Sequence, residues 1–166
     1  MSRKFLILLP ILLVGVALDL VTKQLVLQHL QLGSQMVVIK GFFNLVHVHN
    51  RGSAFGLFSS WSLDFVRVFF VFTTGIVLVV VGYLWWRLPK YQDLAALGYS
   101  LIMAGALGNL VDRVRLGEVV DFLDFYWGRY HWPAFNVADT LVCLGAGFLV
   151  LVILREEKGV NVSDTA

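Results

Sequence analysis

Four long runs of uncharged, mostly apolar residues constrain the fold of this chain more than any other feature. They cover residues 5–18, 68–86, 94–111 and 140–154. A helix that crosses the hydrocarbon core of a bilayer needs roughly 20 residues, and each run reaches that length if one acidic residue near an end is allowed. The composition agrees, because 58% of the 166 residues are hydrophobic and only 14% are charged. The sequence therefore predicts a mainly α integral membrane protein, with one membrane-embedded domain over residues 1–166 and four transmembrane helices at approximately 5–22, 66–86, 94–112 and 136–154.

Basic residues near the ends of these helices indicate how the chain is threaded. Arg3 and Lys4 precede the first run as in a secretory signal peptide, but no convincing small-residue cleavage site follows, so we predict an uncleaved first helix. Lys and Arg in short loops favour the cytoplasmic side. An arrangement with the N-terminus inside places six basic residues there: Arg3, Lys4, Arg87, Lys90, Arg155 and Lys158. We therefore predict that both termini are cytoplasmic.

Three aspartates at the ends of the apolar runs fall on one side of the membrane in this threading. Asp19, Asp112 and Asp139 all reach the outer surface, and Asp121 lies just beyond the third run. Carboxylates at membrane depth are costly and usually mark a functional site. The pattern predicts a polar site at the extracytoplasmic surface.

The two connections on the outer side differ in character. In the first, residues 37–39 and 43–48 flank Lys40-Gly41, which predicts a small extracytoplasmic β-hairpin or sheet between helices one and two. Aromatic side chains favour the membrane interface. They are frequent in both connections, at Phe55, Phe58, Trp61, Phe122, Phe125, Tyr126, Trp127, Tyr130 and Trp132.

Two carboxylates that share a proton can act as a general acid and a general base. The acids near helices three and four are Asp112, Asp121, Asp124 and Asp139. Spacing alone does not show which two of them form a catalytic pair. Asp121 and Asp139 flank a loop that returns to the membrane, so their side chains could meet. Asp112 is followed by Arg113, which suggests an ion pair, and for Asp124 the simplest interpretation is that it faces solvent.

Other polar residues recur at helical spacing. Asp19 and Lys23 are four residues apart in the order that favours a helical ion pair, and we expect this pair to be structural rather than catalytic. Asn109 and Asn136 each precede an aspartate by three residues, which places amide and carboxylate on one face wherever the chain is helical. These amides could orient the acids or bind the backbone of a substrate.

Several kinds of site are not indicated. The sequence has no Gly-x-Ser-x-Gly, no His-Glu-x-x-His and no serine, histidine and acid arrangement, so serine and zinc hydrolase mechanisms are disfavoured. His47 and His49 could share a strand face as metal ligands, but a solvated polar face is the simpler interpretation. We therefore expect no metal and no cofactor. A net charge of +2 gives no indication of nucleic-acid binding.

Five short motifs in order connect the polar residues to a known family. They are Asp19-Leu20-Val21-Thr22-Lys23, Asn50-Arg51-Gly52-Ser53-Ala54-Phe55, residues 105–113 (GALGNLVDR), Val119-Val120-Asp121-Phe122 and residues 133–139 (PAFNVAD). Together with four apolar runs they resemble lipoprotein signal peptidase, also called signal peptidase II, an aspartyl protease family of the bacterial inner membrane.

The resemblance implies roles for particular residues. Asp121 and Asp139 would be the catalytic pair, a choice that spacing left open. The residues that bind substrate or support the site would be Asn50, Gly52, Asn109, Arg113 and Asn136. Asp19, Lys23 and Asp112 would be structural polar residues.

The resemblance also implies a substrate and a location. The substrate would be a diacylglyceryl-modified prolipoprotein, cut just before its lipidated cysteine to release the signal peptide. The enzyme would work as a monomer among membrane lipids of the bacterial inner membrane, with its active site at the extracytoplasmic surface. Inhibition by globomycin-like cyclic peptides would follow from the same family.

Two other classes of function also use polar residues in membranes. A proton-coupled transporter needs membrane aspartates, but it normally places them near the midplane of a pathway open to both sides. A structural or assembly protein is the third possibility, and it gives no reason for five polar motifs on one face.

Overall fold

The computed structural model describes residues 3–52, 62–89 and 92–163, with side chains as far as Arg155. The end of the second motif (53–55), the aromatic residues Phe55, Phe58 and Trp61, and Lys90 lie outside the described residues. The described residues form four long helices: α1 (Arg3–His29), α2 (Leu63–Arg87), α3 (Asp93–Leu116) and α4 (Val137–Ser163). All are long and apolar enough to cross a membrane, α4 over Val137–Arg155. The mainly α membrane fold with four spanning helices is therefore confirmed.

Helix α3 is the centre of the bundle. About half of the residues along its apolar stretch are buried within the protein, whereas few are buried in α1, α2 and α4, as expected for helices that face lipid. Glycines in α3 allow this packing. A Cβ atom at Gly105 would lie 2.2 Å from the carbonyl oxygen of Ala138, and one at Gly108 would lie 2.5 Å from Asp19 Oδ2. Close approach of α3 to α4 and α1 thus requires residues without a side chain.

One end of the bundle joins the N-terminus of α1 to the C-terminus of α2. Lys4 Nζ donates to the backbone carbonyl oxygen of Trp86 at 2.7 Å. Phe5 packs edge-on against Trp85, with ring centroids 5.0 Å apart. A lysine near the last carbonyls of a helix satisfies acceptors that have no partner within the helix. These contacts establish that α1 and α2 run antiparallel.

The other end of the bundle carries a small antiparallel sheet. In the described residues it has the strand order β1 (Gln35–Ile39), β2 (Phe43–Asn50), β3 (Val119–Trp127) and β4 (Tyr130–His131). The predicted hairpin is confirmed as β1 and β2, and Gly41 in its turn has φ +83°, a conformation that favours glycine.

The sheet is larger than the sequence predicted, because the connection between α3 and α4 adds β3 and β4. The partner of Val48 in β2 is Asp121 in β3, and a register shift lies between Leu45 and Val48. Val26 of α1 packs with Val120 and Phe122 of β3 in one hydrophobic cluster. This cluster fixes the sheet to the bundle, so β3 delivers Asp121 to the ends of the helices.

Candidate active site

Lys23 lies at the centre of a buried polar cluster between α1 and α3. Within the described part of the chain its ammonium group contacts Asp19 Oδ2 at 2.8 Å, Asp112 Oδ2 at 3.0 Å and Asn109 Oδ1 at 2.9 Å. Only 2% of Lys23 and none of Asp19 is exposed. The ammonium group therefore donates a hydrogen bond to Asn109 and forms ion pairs with both aspartates. Asp19 and Lys23 therefore form the ion pair expected from their spacing, within a larger network.

Asn109 connects this cluster to Asp139. Because Oδ1 of Asn109 accepts from Lys23, its Nδ2 is turned the other way and donates to Asp139 Oδ1 at 2.8 Å. The ammonium group thus sets the orientation of the amide, which otherwise has two nearly equivalent positions. The sequence had paired Asn109 with Asp112 along one helix face, whereas the structure directs it across to α4.

Asn136 stands between the two aspartates at the start of α4. Its Nδ2 donates to Asp121 Oδ1 at 2.7 Å, and its Oδ1 accepts from the backbone N–H of Asp139 at 2.9 Å. In return Asp139 Oδ2 accepts from the backbone N–H of Asn136 at 3.3 Å. This reciprocal arrangement is that of a capping box, in which residues three apart satisfy each other's N–H groups at a helix start. Asn136 precedes the helix instead of sharing a helical face with Asp139, and it brings Asp121 and Asp139 together.

Asn50 and Gly52 approach Asp121 from the end of β2. Asn50 Nδ2 donates to Asp121 Oδ2 at 2.9 Å, and the backbone N–H of Gly52 donates to Asn50 Oδ1 at 2.7 Å. Gly52 has φ +85°, and a Cβ atom there would lie 2.3 Å from the Phe70 ring of α2. Both its backbone conformation and its surroundings therefore require glycine.

Arg113 of α3 adds a positive charge to the surroundings of the two aspartates. Its guanidinium lies over the ring of Phe70, 5.2 Å from the centroid, and it interacts electrostatically with Asp139, Asp121 and Asp112. Stacking on an aromatic face holds a guanidinium in place while its N–H donors stay available. The group is placed to bind an anionic or carbonyl oxygen beside the acids.

The two aspartates have different environments. Asp121 is 2% exposed, whereas Asp139 is partly exposed. Burial, helped by the neighbouring charge of Asp139, raises the pKa of Asp121 to about 6, against the opposing hydrogen bonds from Asn50 and Asn136. With this pKa, Asp121 keeps its proton to a higher pH than an ordinary aspartate does. The pair is chemically suited to general acid and base catalysis.

Three expectations about polar residues need correction. Asp112 pairs with Lys23 and accepts from the backbone N–H of Val120 at 3.2 Å, so its ion pair is not with the adjacent Arg113. Asp124 is buried rather than solvated, because Asn44 Nδ2 donates to it at 2.9 Å and His131 Nδ1 lies 2.9 Å from it.

The third correction concerns His47, which is 5% exposed and not part of a solvated face. Its Nε2 lies 3.1 Å from His49 Nε2.

Sequence reasoning missed two contributions to the site. Asp19 Oδ1 accepts from the backbone N–H of Ala138 at 2.9 Å, so α1 also holds the first turn of α4. Phe70, which contacts both Gly52 and Arg113, occurs in a run of apolar residues in α2. Neither contact has a local signal, because each joins residues far apart in the chain.

The sequence is similar to one known family of proteins. A family model described as signal peptidase (SPase) II matches residues 11–155. The lipoprotein signal peptidase of Syntrophotalea carbinolica is 44% identical over 153 residues, which is 92% of this chain and 94% of that protein. That of Geobacter metallireducens is 43% identical over 145 residues, 87% of this chain and 88% of the relative.

Solved structures show the same fold. A bacterial membrane enzyme determined by the in meso method at 2.3 Å has a TM-score of 0.80 and 32% identity, covering 95% of this chain and 90% of that one. A second, at 1.9 Å, has a TM-score of 0.79 and 33% identity, covering 92% and 93%. The chain therefore belongs to the signal peptidase II family, the lipoprotein signal peptidases.

Proposed function

We propose that the protein removes signal peptides from prolipoproteins by acid and base catalysis at Asp121 and Asp139. The observation that carries this proposal is the bridge made by Asn136, which binds the carboxylate of Asp121 and caps the helix turn that bears Asp139. The bridge holds two carboxyl groups at one place with different solvent exposure. Such a pair shares one proton and titrates as a unit.

In this mechanism Asp139 is the general base and Asp121 the general acid. Ionised Asp139 takes a proton from water as the water oxygen bonds to the scissile carbonyl carbon, and protonated Asp121 donates its proton to the carbonyl oxygen. The resulting diol collapses when the C–N bond breaks. Asp139 then gives its proton to the leaving amine, and Asp121 takes one from the diol hydroxyl, so one water is consumed and both carboxyl groups return to their starting states.

The residues that bind substrate or support this pair are Asn50, Gly52, Asn109, Arg113 and Asn136. The helices that carry the pair are held together by Asp19, Lys23 and Asp112. Arg113 is placed to stabilise the oxygen on which negative charge develops, since preorganised donors act strongly in a buried site. Lys23 affects Asp139 indirectly, because its ammonium group orients the Asn109 amide that donates to Asp139.

The substrate we propose is a diacylglyceryl-modified prolipoprotein, cut just before the lipidated cysteine. The site stands where the membrane-spanning bundle meets the sheet, so a peptide anchored by its lipid would present the scissile bond at that depth. Trp127, Tyr130 and Trp132 are exposed where β3 ends and β4 follows, as expected for aromatic side chains among lipid headgroups. Globomycin-like cyclic peptides would compete for the same site.

We place the site on the extracytoplasmic side of the inner membrane, with both termini in the cytoplasm. The support for this orientation is the basic residues in short segments at the opposite end of the bundle, including Arg3, Lys4 and Arg87. The chain acts as a monomeric, single membrane-embedded domain, since the proposed catalytic and supporting residues all come from one copy.

Cleavage of a diacylglyceryl-modified prolipoprotein by the purified protein in detergent tests the function. Wild type is compared with Asp121→Asn and Asp139→Asn, which keep the shape of the side chain but cannot exchange the proton. Asp124→Asn is the matched control, because it is a buried aspartate on the same strand with its own partners. We expect the first two variants to be folded and inactive while the control retains activity. Activity in either dyad variant comparable to wild type would move the chemistry to other residues.

A further inference from the structure

Glu118 binds both neighbours of the amide that contacts Asp121. Its Oε2 accepts from His49 Nδ1 at 2.9 Å, and its Oε1 accepts from Arg51 Nε at 2.6 Å. Between these two residues lies Asn50, whose Nδ2 donates to Asp121 Oδ2 at 2.9 Å. The two oxygens of one carboxylate therefore fix the residues on either side of Asn50, and charge-assisted hydrogen bonds of this kind are among the stronger ones in proteins.

Glu118 lies where α3 passes into the sheet. Helix α3 ends at Leu116, and Gly117 follows with φ +82°, a left-handed conformation that favours glycine. Strand β3 then begins at Val119, which pairs with Asn50 of β2. Successive side chains of a strand project to opposite faces, so Glu118 lies on the face toward which the neighbours of Asn50 project.

The contact of Glu118 with His49 continues to the end of α1. Nε2 of His49 lies 3.1 Å from Nε2 of His47 and forms a hydrogen bond with it. His47 is buried, and its Nδ1 donates to the backbone carbonyl oxygen of Leu30 at 2.9 Å. Only 16% of the Glu118 side chain is exposed, against 59% of that of Arg51. Glu118 is thus the buried centre of contacts that join the end of β2 to the chain just after α1.

We propose that Glu118 is a positioning residue for the cleavage reaction, because by binding His49 and Arg51 it keeps the amide of Asn50 on the carboxylate of Asp121. The hydrogen bond from Asn50 favours the ionised form of Asp121. Its strength therefore sets the pH range over which Asp121 holds a proton. The role in cleavage rests on the proposed function of Asp121, whereas the contact through which Glu118 acts does not.

Two effects of removing Glu118 have opposite signs. Loss of its negative charge alone would favour the ionised form of Asp121 and lower the pKa of that acid. Release of Asn50 would weaken a hydrogen bond that lowers the same pKa, and so would raise it. The direction of the shift thus separates positioning from direct electrostatics. Other charged groups that act on Asp121 are Asp139 of α4, Lys23 of α1 and Arg113 of α3, and a substitution of Glu118 leaves all three present.

The test is a titration of Asp121 in the full chain purified in detergent, followed by carboxyl carbon NMR of protein with labelled aspartate. The resonance is identified by its absence from Asp121→Asn. Glu118→Ala is compared with Glu118→Gln, which removes the same charge but keeps the shape of the side chain and one acceptor oxygen. We expect the pKa of Asp121 to rise by about half a pH unit in Glu118→Ala and by less in Glu118→Gln, since complete loss of a hydrogen bond to a charged group corresponds to about one to two units.

Asp124→Asn is the matched control, because it removes a carboxylate from the same strand that binds Asn44 and His131 instead. It should not raise the pKa of Asp121.

Cleavage of a diacylglyceryl-modified prolipoprotein gives a second readout. We expect kcat of Glu118→Ala to be about tenfold lower than that of wild type, since small displacements of a supporting group are costly. The alkaline limb of kcat/KM should move to higher pH. In a protein that already carries Asn50→Ala, Glu118→Ala should cause little further loss, because residues that act through one contact are not additive.

The proposal is overturned if the pKa of Asp121 falls or stays unchanged in both Glu118 variants, or if the losses of kcat from Glu118→Ala and Asn50→Ala add. Wild-type protein that does not cleave the substrate would instead overturn the proposed function, because the titration of Asp121 is measured without substrate. The two failures are therefore distinguishable.

Discussion

At the scale of single residues, Lys23 has the largest predicted effect on stability. Replacing it with methionine would leave the buried carboxylates of Asp19 and Asp112 without their cation. Removing one partner of a buried ion pair costs about 3–5 kcal/mol, because an uncompensated charge remains. We expect Lys23→Met to lower the free energy of unfolding in detergent by that amount. Lys40→Met, at an exposed lysine of the hairpin turn, is the control and should unfold like wild type. Equal stability of both variants would show that the ion pairs contribute little.

A second residue-scale prediction concerns the pH dependence of cleavage. The pair needs one proton, so kcat/KM should rise and then fall with pH, and the fall should begin near the pKa of about 6 that burial gives Asp121. The hydrogen bond from Asn50 lowers this pKa, because it stabilises the charged carboxylate. Asn50→Ala removes that bond, raises the pKa of Asp121 and should move the alkaline limb to higher pH. A flat profile in wild type, or a limb that moves to lower pH in the variant, would contradict the shared proton.

At the scale of elements, the contact between α3 and α4 sets the position of Asp139. Gly105→Ala would place a methyl group against the backbone of Ala138, next to Asp139, and overpacking of this kind typically costs 1–3 kcal/mol. We expect about that loss of stability together with reduced cleavage. Gly147→Ala in α4 is the matched control, because no atom lies within 4 Å of a Cβ there. That substitution should leave stability unchanged or raise it by about 0.5–1 kcal/mol through helix propensity. Similar behaviour of the two variants would mean that α4 shifts without cost.

The sequence predicted elements better than contacts between them. The four helices and the β1–β2 hairpin follow from hydropathy, alternation and one glycine turn, which are local signals. Spacing left Asp121 and Asp139 as one pair among several, and only the family resemblance singled them out.

The contact of Lys23 with Asn109 joins residues 86 positions apart, and β3 forms because β2 provides an edge to pair with. Asp124 was misjudged for the same reason, since its partner Asn44 is 80 residues away. Such contacts depend on how the elements pack and have no signal in a local pattern.

At the scale of the whole molecule, the two ends of the bundle have opposite characters, and this asymmetry predicts the orientation in the membrane. The sheet and the buried polar cluster lie at one end, while the other end joins α1 to α2 through Lys4 and Trp86. Basic residues in short segments are retained in the cytoplasm, so the sheet should face outward. Cysteine labelling measures this directly. Cys143 is first replaced by serine, and then Lys40→Cys in the hairpin turn and Pro89→Cys after α2 are introduced separately, both at exposed positions.

A membrane-impermeant maleimide should label Lys40→Cys in intact spheroplasts and Pro89→Cys only after the membrane is permeabilised. Labelling of both proteins in denaturant shows that each thiol is reactive. The opposite pattern would place the proposed catalytic aspartates on the cytoplasmic side. A substrate exported with its lipid anchor in the outer leaflet could then not reach them, and the assignment of the substrate would fall together with the orientation. The orientation therefore tests the proposed substrate independently of the chemistry at Asp121 and Asp139.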